Sequence, residues 1–217
     1  MQLTKDRVFA DIALLPISYK TADVDRLIRA YVRQKADPTA LRPLLLSYPE
    51  LHRIYFYVAL KQIPSAEGRM AFIHENLLFN DWWHTDQLIG FVSKLDFQTA
   101  LEYGANYTKD PDPFIRRWGY VLFISPLGRG RGKELLPLMR NDDHYSVQMA
   151  QGWLTAELAV SEPELVYDWL VRCDLKYNIT GKAVQKILDS FRISKEWKER
   201  FRALRPMLRE KGREAIS

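Results

Sequence analysis

The stretch that decides the fold is residues 81–117, DWWHTDQLIGFVSKLDFQTALEYGANYTKDPDPFIRR. Asn80 or Asp81 is a suitable N-cap for a helix that begins at Trp82, and Asp96 is a suitable cap for the next helix. Residues 111–113, with two prolines, begin a third helix, where proline is tolerated in the first turn. The stretch therefore predicts consecutive helices joined by short loops.

The same pattern continues on both sides of this stretch. Toward the amino terminus, residues 23–34, 37–46 and 49–63 each begin at a turn residue and carry apolar residues at helical spacing. Toward the carboxyl terminus, further helices are expected after His144 and near Glu162, Ile179 and Ser194. No segment alternates apolar and polar residues for long enough to predict a strand. The sequence predicts an all-α fold.

A weak repeat indicates how these helices are arranged. The segments DPFIRRWGYVLFI and DHYSVQMAQGWLTAEL each open with an aspartate-started turn, at Asp112 and Asp143, and continue into a long apolar helix. The two starts are separated by about the length of one two-helix repeat. A bundle and a solenoid both accommodate helices of this length, and the repeat favours an α-solenoid. We expect residues 1–217 to form a single domain.

Composition excludes several classes of protein. The amino terminus, MQLTKDRVFADIALL, has acidic residues among its apolar positions, unlike a signal peptide, and no apolar run approaches the roughly 20 residues that span a bilayer. Cys173 is the one cysteine, so no internal disulfide is possible. The four histidines show no metal-ligand spacing and are expected to be surface or satisfied core residues. A cytoplasmic protein without metal or cofactor is expected.

The positive charge is concentrated at one end of the chain. The formal net charge is +5, and from Lys182 onward eleven lysines and arginines face five acidic residues. A basic end on a nearly neutral body suggests a polyanionic partner, usually nucleic acid. A solvated amphipathic helix explains this segment equally well.

Four residues stand out for their chemistry. Asp86 follows Trp82 by one helical turn, which places a carboxylate and an indole on one helix face. Arg117 and Trp153 lie further along the chain. If they converge on the first pair, the arrangement can hold a cationic ligand against a phosphate backbone.

The chain resembles the DNA alkylation repair proteins, which are built from HEAT-like repeats. The resemblance rests on NDWWHTDQL, DPFIRRWGYVLFI, AQGWLTAEL and ITGKAVQKILDSF, in that order, and covers about residues 50–195. It implies an α-solenoid of HEAT-like repeats with a concave basic groove. It also implies a double-stranded DNA partner, with the damaged nucleotide held against the duplex and no cofactor. A solenoid of this size is expected to be a monomer.

The resemblance also implies roles for individual residues. Trp82 corresponds to the first aromatic, Asp86 to the catalytic carboxylate, Arg117 to the active-site arginine and Trp153 to the second aromatic of a glycosylase for 3-methyladenine and 7-methylguanine. Many relatives have the aspartate four residues after the second tryptophan instead. That alignment places Gln87 at the catalytic position, whereas the one-turn spacing favours Asp86.

The chain departs from the family pattern in two places. The first fifty residues lack the family's aromatic-Gly-Val segment and its arginine-containing helix. After Trp153 the chain reads Leu-Thr-Ala-Glu, so an arginine that braces the site in relatives is missing. A non-catalytic HEAT-like scaffold that binds DNA weakly, or another partner, is therefore the alternative to a glycosylase. A solenoid that binds only proteins is less favoured, because basic residues crowd toward one end.

Two further segments have open interpretations. GRGRGK, residues 128–133, forms either an anion-binding nest of backbone amides or a mobile basic loop. Of the two adjacent arginines, Arg116 is expected to face solvent, and Arg117 is either the active-site arginine or a surface ion-pair partner. The other tryptophans, Trp118, Trp169 and Trp197, are expected to be structural.

Overall fold

The computed structural model describes residues 1–214 of the chain. Within that range the one strand-like feature is an isolated parallel bridge between Gln2 and Asp37. The all-α fold predicted from the sequence is therefore confirmed. The α-helices are α1 (Lys5–Ala13), α2 (Thr21–Arg33), α3 (Pro49–Gln62), α4 (Ala66–Glu75), α5 (Trp82–Asp86), α6 (Ile89–Val92), α7 (Phe97–Tyr107), α8 (Pro113–Val121), α9 (Gly132–Leu135), α10 (Tyr145–Ser161), α11 (Pro163–Arg172), α12 (Tyr177–Asp189), α13 (Lys195–Ala203) and α14 (Arg205–Glu214).

Side-chain caps fix several helix starts where the sequence predicts them. Asp81, Asp96, Asp112 and Ser194 precede α5, α7, α8 and α13, and each accepts a hydrogen bond from a first-turn amide. Asp112 Oδ1, for example, lies 2.7 Å from the Phe114 amide nitrogen. Each such cap stabilises its helix by about 1 kcal/mol.

Three local predictions differ from the structure. The helix expected over residues 37–46 is a 3-10 helix, Thr39–Leu44, because Pro43 has no amide to donate within it. The helix that begins at Trp82 is only five residues long. Helix α1 has no counterpart among the predicted elements, since acidic and basic residues interrupt its apolar pattern and Val8 alone of its side chains is fully buried.

The first compact unit covers Met1–Val92 and is centred on α3. Helix α3 packs against α2 and buries a broad apolar face that includes Ile54, Phe56 and Val58. The buried Asn76 closes the other side of this core, since its Oδ1 accepts hydrogen bonds from Tyr55 Oη at 2.7 Å and from an arginine. This unit carries Trp82 and Asp86.

The second compact unit begins at Ser93 and is a stacked series of helices. In chain order α8, α10, α12 and α14 each pack against the next, while α7, α11 and α13 pack against α8, α10 and α12. This is the stacking order of a helical-repeat protein. A Cβ on Gly104 of α7 would lie 2.5 Å from the Phe123 ring, so this glycine permits the close approach of α7 to the segment after α8. That residues 1–217 form a single domain stays a prediction.

The repeat found in the sequence corresponds to neighbouring helices, α8 and α10, but its second start is one residue off. The Asp142 carboxylate, rather than Asp143, accepts a hydrogen bond from the His144 amide at 2.8 Å. Asp143 is exposed and pairs with Lys176 at 2.9 Å. Within residues 1–214 no helix combines the length and apolar content needed to cross a bilayer.

Candidate active site

A single short helix carries the exposed indole and the carboxylate. Helix α5 begins where Asp81 Oδ1 accepts a hydrogen bond from the Trp82 amide at 2.6 Å. Trp82 keeps 56% of its surface exposed, which is unusual for a tryptophan. Asp86 is half-buried, and its Oδ1 accepts a hydrogen bond from Thr85 Oγ1 at 3.1 Å. Because residues four apart face the same side of a helix, α5 presents indole and carboxylate together.

Two stacked imidazoles support α5 from the core of the first unit. The His52 and His84 rings are 3.7 Å apart and 3° from parallel, and both residues are fully buried. Trp83 packs edge-on against both rings. Burial lowers the pKa of His52 to about 2 and that of His84 to about 4, so both rings are neutral at physiological pH. They are core residues, as the absence of metal-ligand spacing suggests.

Gln87, the alternative candidate for the catalytic position, is held by the protein itself. Its Nε2 lies 2.7 Å from His52 Nδ1, and its Oε1 accepts a hydrogen bond from Arg53 Nη1 at 3.4 Å. Its backbone carbonyl accepts a hydrogen bond from Tyr57 Oη at 3.2 Å. The Gln87 amide therefore links α5 to α3. Which of Asp86 and Gln87 occupies the catalytic position stays a prediction.

Arg117 is a fixed, buried residue of α8. It is 4% exposed, and its Nη1 donates a hydrogen bond to the Ser146 carbonyl at 2.6 Å. The expectation that Arg117 lies on the surface is therefore wrong. Ser146 lies in the first turn of α10, so the guanidinium is anchored at the amino-terminal end of that helix.

Arg116 is partly exposed and is the more solvent-accessible of the two adjacent arginines, but protein groups bind its guanidinium. Its Nε and Nη2 donate to the Asp142 carboxylate at 2.6 and 3.2 Å, and its Nη1 donates to the carbonyls of Asp110 and Pro111. The carboxylate raises the pKa of this guanidinium. Arg116 therefore joins the loop before α8 to the loop before α10 and is a structural residue.

Trp153 lies on the one partly exposed stripe of α10. Every other residue between Ser146 and Val160 is buried, and the stripe follows a spacing of three or four: Ser146, Met149, Trp153, Glu157 and Val160. Trp153 follows Ser146, where Arg117 is anchored, by seven positions. This spacing is about two helical turns, or about 10 Å along the axis of α10.

Trp153 also borders a groove of about 460 Å³ that the sequence did not predict. Glu157, one turn after Trp153, forms an ion pair with Arg192 from the loop after α12, and Arg129 lines the same groove. Only the one-turn spacing of Trp153 and Glu157 was visible in the sequence, because Arg192 lies 35 residues beyond its partner.

The GRGRGK segment is docked against the end of α10. The Gly130 amide donates to Ser161 Oγ at 3.2 Å, and the Gly132 amide donates to Glu162 Oε2 at 2.7 Å. Two amides of the proposed anion-binding nest are therefore occupied by the protein, and the nest interpretation is wrong for them. The segment instead contributes the exposed Arg129 side chain to the groove beside Trp153.

The four residues fall into two pairs. Trp82 and Asp86 are brought together by α5 in the first unit, whereas Arg117 and Trp153 lie on α8 and α10 of the second unit. That the two pairs converge on one ligand stays a prediction. Within residues 1–214 no group of three metal-ligating side chains is found.

The fold and the site define a class of protein: an all-helical repeat protein with an exposed indole–carboxylate pair. The family model described as DNA alkylation repair enzyme matches residues 17–190. The chain belongs to this family, and the resemblance drawn from its four motifs is confirmed. Family membership supports a general role in DNA repair, with DNA as substrate or partner. Comparisons with curated proteins and with solved structures found no match.

Proposed function

We propose that the protein is a DNA glycosylase that hydrolyses the N-glycosidic bond of cationic alkylated purines, 3-methyladenine and 7-methylguanine, in double-stranded DNA. The observation that carries the proposal is the capped turn of α5, which presents Trp82 and Asp86 on one face. Because the Trp82 indole is 56% exposed, its hydrophobic surface contributes little to the stability of the fold. An aromatic ligand that covers the indole gains that hydrophobic stabilisation on binding. Membership of the DNA alkylation repair enzyme family supports the choice of DNA.

The proposed reaction needs a carboxylate that stabilises positive charge, and it does not need a general acid that protonates the base. The alkylated purine is already positively charged, so its glycosidic bond breaks without protonation of the base. Positive charge then develops on the deoxyribose, and the Asp86 carboxylate stabilises that charge and orients the attacking water. The single proton of the Thr85 hydroxyl has two acceptors in reach, the Trp82 carbonyl at 2.8 Å and Asp86 Oδ1 at 3.1 Å.

The remaining residues are assigned to binding. The faces of Trp82 and Trp153 hold the cationic base by cation–π contact and the sugar by CH–π contact. Arg117, anchored on the Ser146 carbonyl, is assigned to a phosphate beside the lesion, which sets the position of the DNA without reading its sequence. The proposal treats the protein as a monomer acting alone.

The non-catalytic scaffold is the second candidate, and one observation favours it. Arg117 is only 4% exposed, which leaves little of its guanidinium surface for a phosphate. A scaffold that retains these residues without catalysis binds DNA but releases no base. The two candidates therefore differ in a single measurable product.

The test is single-turnover release of 7-methylguanine from methylated duplex DNA, with enzyme in excess over substrate. We expect wild-type protein to release the base and Asp86→Asn to be slower by about 10²- to 10⁴-fold, the usual contribution of a positioned acid–base group. Glu67→Gln, at an exposed position in the first turn of α4, makes the same change in charge and serves as the matched control. No release by folded wild-type protein, or equal rates in Asp86→Asn and wild type, contradicts the proposal.

A further inference from the structure

The net positive charge of the chain comes from the residues that follow the family-matched segment. The family model ends at residue 190, and after that position the sequence has nine lysines and arginines against four acidic residues. This excess of five equals the formal net charge of the whole chain, so residues 1–190 are neutral overall. Helices α13 and α14 therefore add a basic surface to a neutral family core.

Two cation–aromatic pairs connect that basic surface to the candidate site. Lys182 of α12 places its Nζ 5.1 Å from the centre of the Tyr145 ring on α10. Arg209 of α14 places its guanidinium 5.3 Å from the Tyr177 ring on α12, and its Nη2 donates to Tyr177 Oη at 3.3 Å. We refer to Tyr145, Lys182, Tyr177 and Arg209 as the aromatic–basic ladder.

The ladder follows the stacking order of the helices. Tyr145 and Tyr177 are the first residues of α10 and α12, so they occupy equivalent positions in successive repeats. Arg117 donates to the carbonyl of Ser146, the residue after Tyr145, so the ladder begins beside the candidate phosphate contact. From there it continues through α12 to α14.

The printed hydrogen bonds of the ladder cations go to uncharged groups rather than to carboxylates. Lys182 donates to Gln148 Oε1 at 2.9 Å and to the Asn178 carbonyl at 3.0 Å, and Arg209 donates to the Tyr177 hydroxyl. All these acceptors are neutral. Elsewhere in the second unit, Arg131, Arg172 and Arg202 are paired with carboxylates.

The placement of the ladder suits a DNA backbone. Its two cations lie on α12 and α14, which pack against each other, and each strand of B-DNA carries a regular row of phosphates. Tyr145 is 65% exposed, and a tyrosine hydroxyl can donate to a phosphate oxygen.

We propose that the aromatic–basic ladder binds the sugar–phosphate backbone of duplex DNA on one side of the lesion. The proposal rests on the proposed function for its partner, DNA, but it requires no catalysis. The ladder carries no groups that read base edges, so its contribution is independent of sequence and of damage.

The test is the affinity of wild-type protein and variants for an undamaged fluorescent DNA duplex of about 20 base pairs, measured by anisotropy over a range of salt concentrations. Lys182→Gln/Arg209→Gln removes two phosphate contacts, so the slope of log K against log salt is expected to fall by about 2. The same relation predicts roughly 10- to 60-fold weaker binding at 0.1 M salt. Lys182→Arg/Arg209→Lys retains the charges and is expected to bind within a few-fold of wild type.

The matched control changes the net charge equally without touching the ladder. Lys133→Gln/Arg172→Gln alters two residues that line a cavity of about 350 Å³ between α9 and α11, and Arg172 is 77% exposed. We expect this variant to bind nearly as tightly as wild type. Equal weakening in the control and ladder variants, or no weakening in the ladder variant, overturns the proposal, as does tighter binding of an RNA duplex than of the DNA duplex.

The outcomes separate this inference from the proposed function. Base release at saturating enzyme reports the chemistry, whereas anisotropy on undamaged DNA reports the ladder. Ladder-dependent binding without base release supports the ladder and contradicts the glycosylase. Base release with unchanged binding in the ladder variant supports the glycosylase and contradicts the ladder.

Discussion

The stacked histidines beneath α5 make the stability of the first unit dependent on pH. His52 and His84 are buried 3.7 Å apart, and the Asn80 amide donates to His84 Nδ1 at 3.3 Å. Protonating either ring places a positive charge in the core beside the other ring. The quantity that reports this effect is the loss of unfolding free energy from pH 7 to pH 5 in the wild type and in His84→Asn. The asparagine amide oxygen in this variant keeps an acceptor for Asn80.

The sign and size of the effect follow from the pKa values. A histidine in an unfolded chain has a pKa of about 6.5, and burial lowers that of folded His84 to about 4. The unfolded chain therefore binds more protons between these values, so stability is lost as the pH falls below about 6.5. Each pH unit below it costs about 1.4 kcal/mol, which gives about 2 kcal/mol at pH 5. His52, with a pKa lowered to about 2, adds a similar loss.

The assay is urea unfolding at pH 7 and pH 5, followed by tryptophan fluorescence. Between these pH values the wild type is expected to lose about 2 kcal/mol more unfolding free energy than His84→Asn, because the variant lacks one titrating ring. His74→Asn alters an exposed histidine of α4 and is expected to match the wild type. Equal losses in the wild type and His84→Asn refute the reasoning.

Three further predictions concern packing and the exposed indole. Gly104→Ala places a Cβ 2.5 Å from the Phe123 ring and is expected to lower the unfolding free energy by about 1–3 kcal/mol. Its control is Gly90→Ala, whose Cβ meets nothing within 4 Å and which leaves the unfolding free energy unchanged or raises it by up to about 1 kcal/mol. Equal effects of the two variants in urea titrations contradict this packing. Arg116→Gln breaks the contacts to Asp142 and two carbonyls and is expected to cost about 2 kcal/mol by the same measurement, and a change below about 0.5 kcal/mol argues against the structural role. Trp82→Ala is expected to slow 7-methylguanine release by about 10- to 100-fold while unfolding changes by less than about 1 kcal/mol, because the indole is exposed; a large loss of stability instead assigns Trp82 to the core.

The features that the sequence predicted well are local ones. A cap acts within one turn, so Asp81, Asp96 and Ser194 mark helix starts without any knowledge of the fold. The pairing of Trp82 with Asp86 likewise depends only on helical spacing. These short-range rules account for the all-α fold and for the half of the candidate site carried by α5.

The features that sequence reasoning missed depend on contacts between distant segments. Arg192 reaches Glu157 across 35 residues, and no local pattern signals that contact. Arg116 and Arg117 are adjacent and chemically identical, yet each finds a different partner in the loop before α10 or at its start. Packing decides that Arg117 is buried and that Arg116 stays partly exposed and pairs with Asp142.

The proposed function requires that the carboxylate of Asp86, and no neighbouring group, catalyses base release. The most direct measurement is the single-turnover rate of 7-methylguanine release by wild type, Asp86→Asn and Asp86→Asn/Gln87→Glu, with fold confirmed by thermal unfolding. The double variant moves the carboxylate by one residue, to the position that faces His52 and Arg53. The account predicts release by wild type, a rate lower by about 10²- to 10⁴-fold in Asp86→Asn, and no recovery in the double variant. Recovery of the wild-type rate when the carboxylate is moved to position 87 would contradict it.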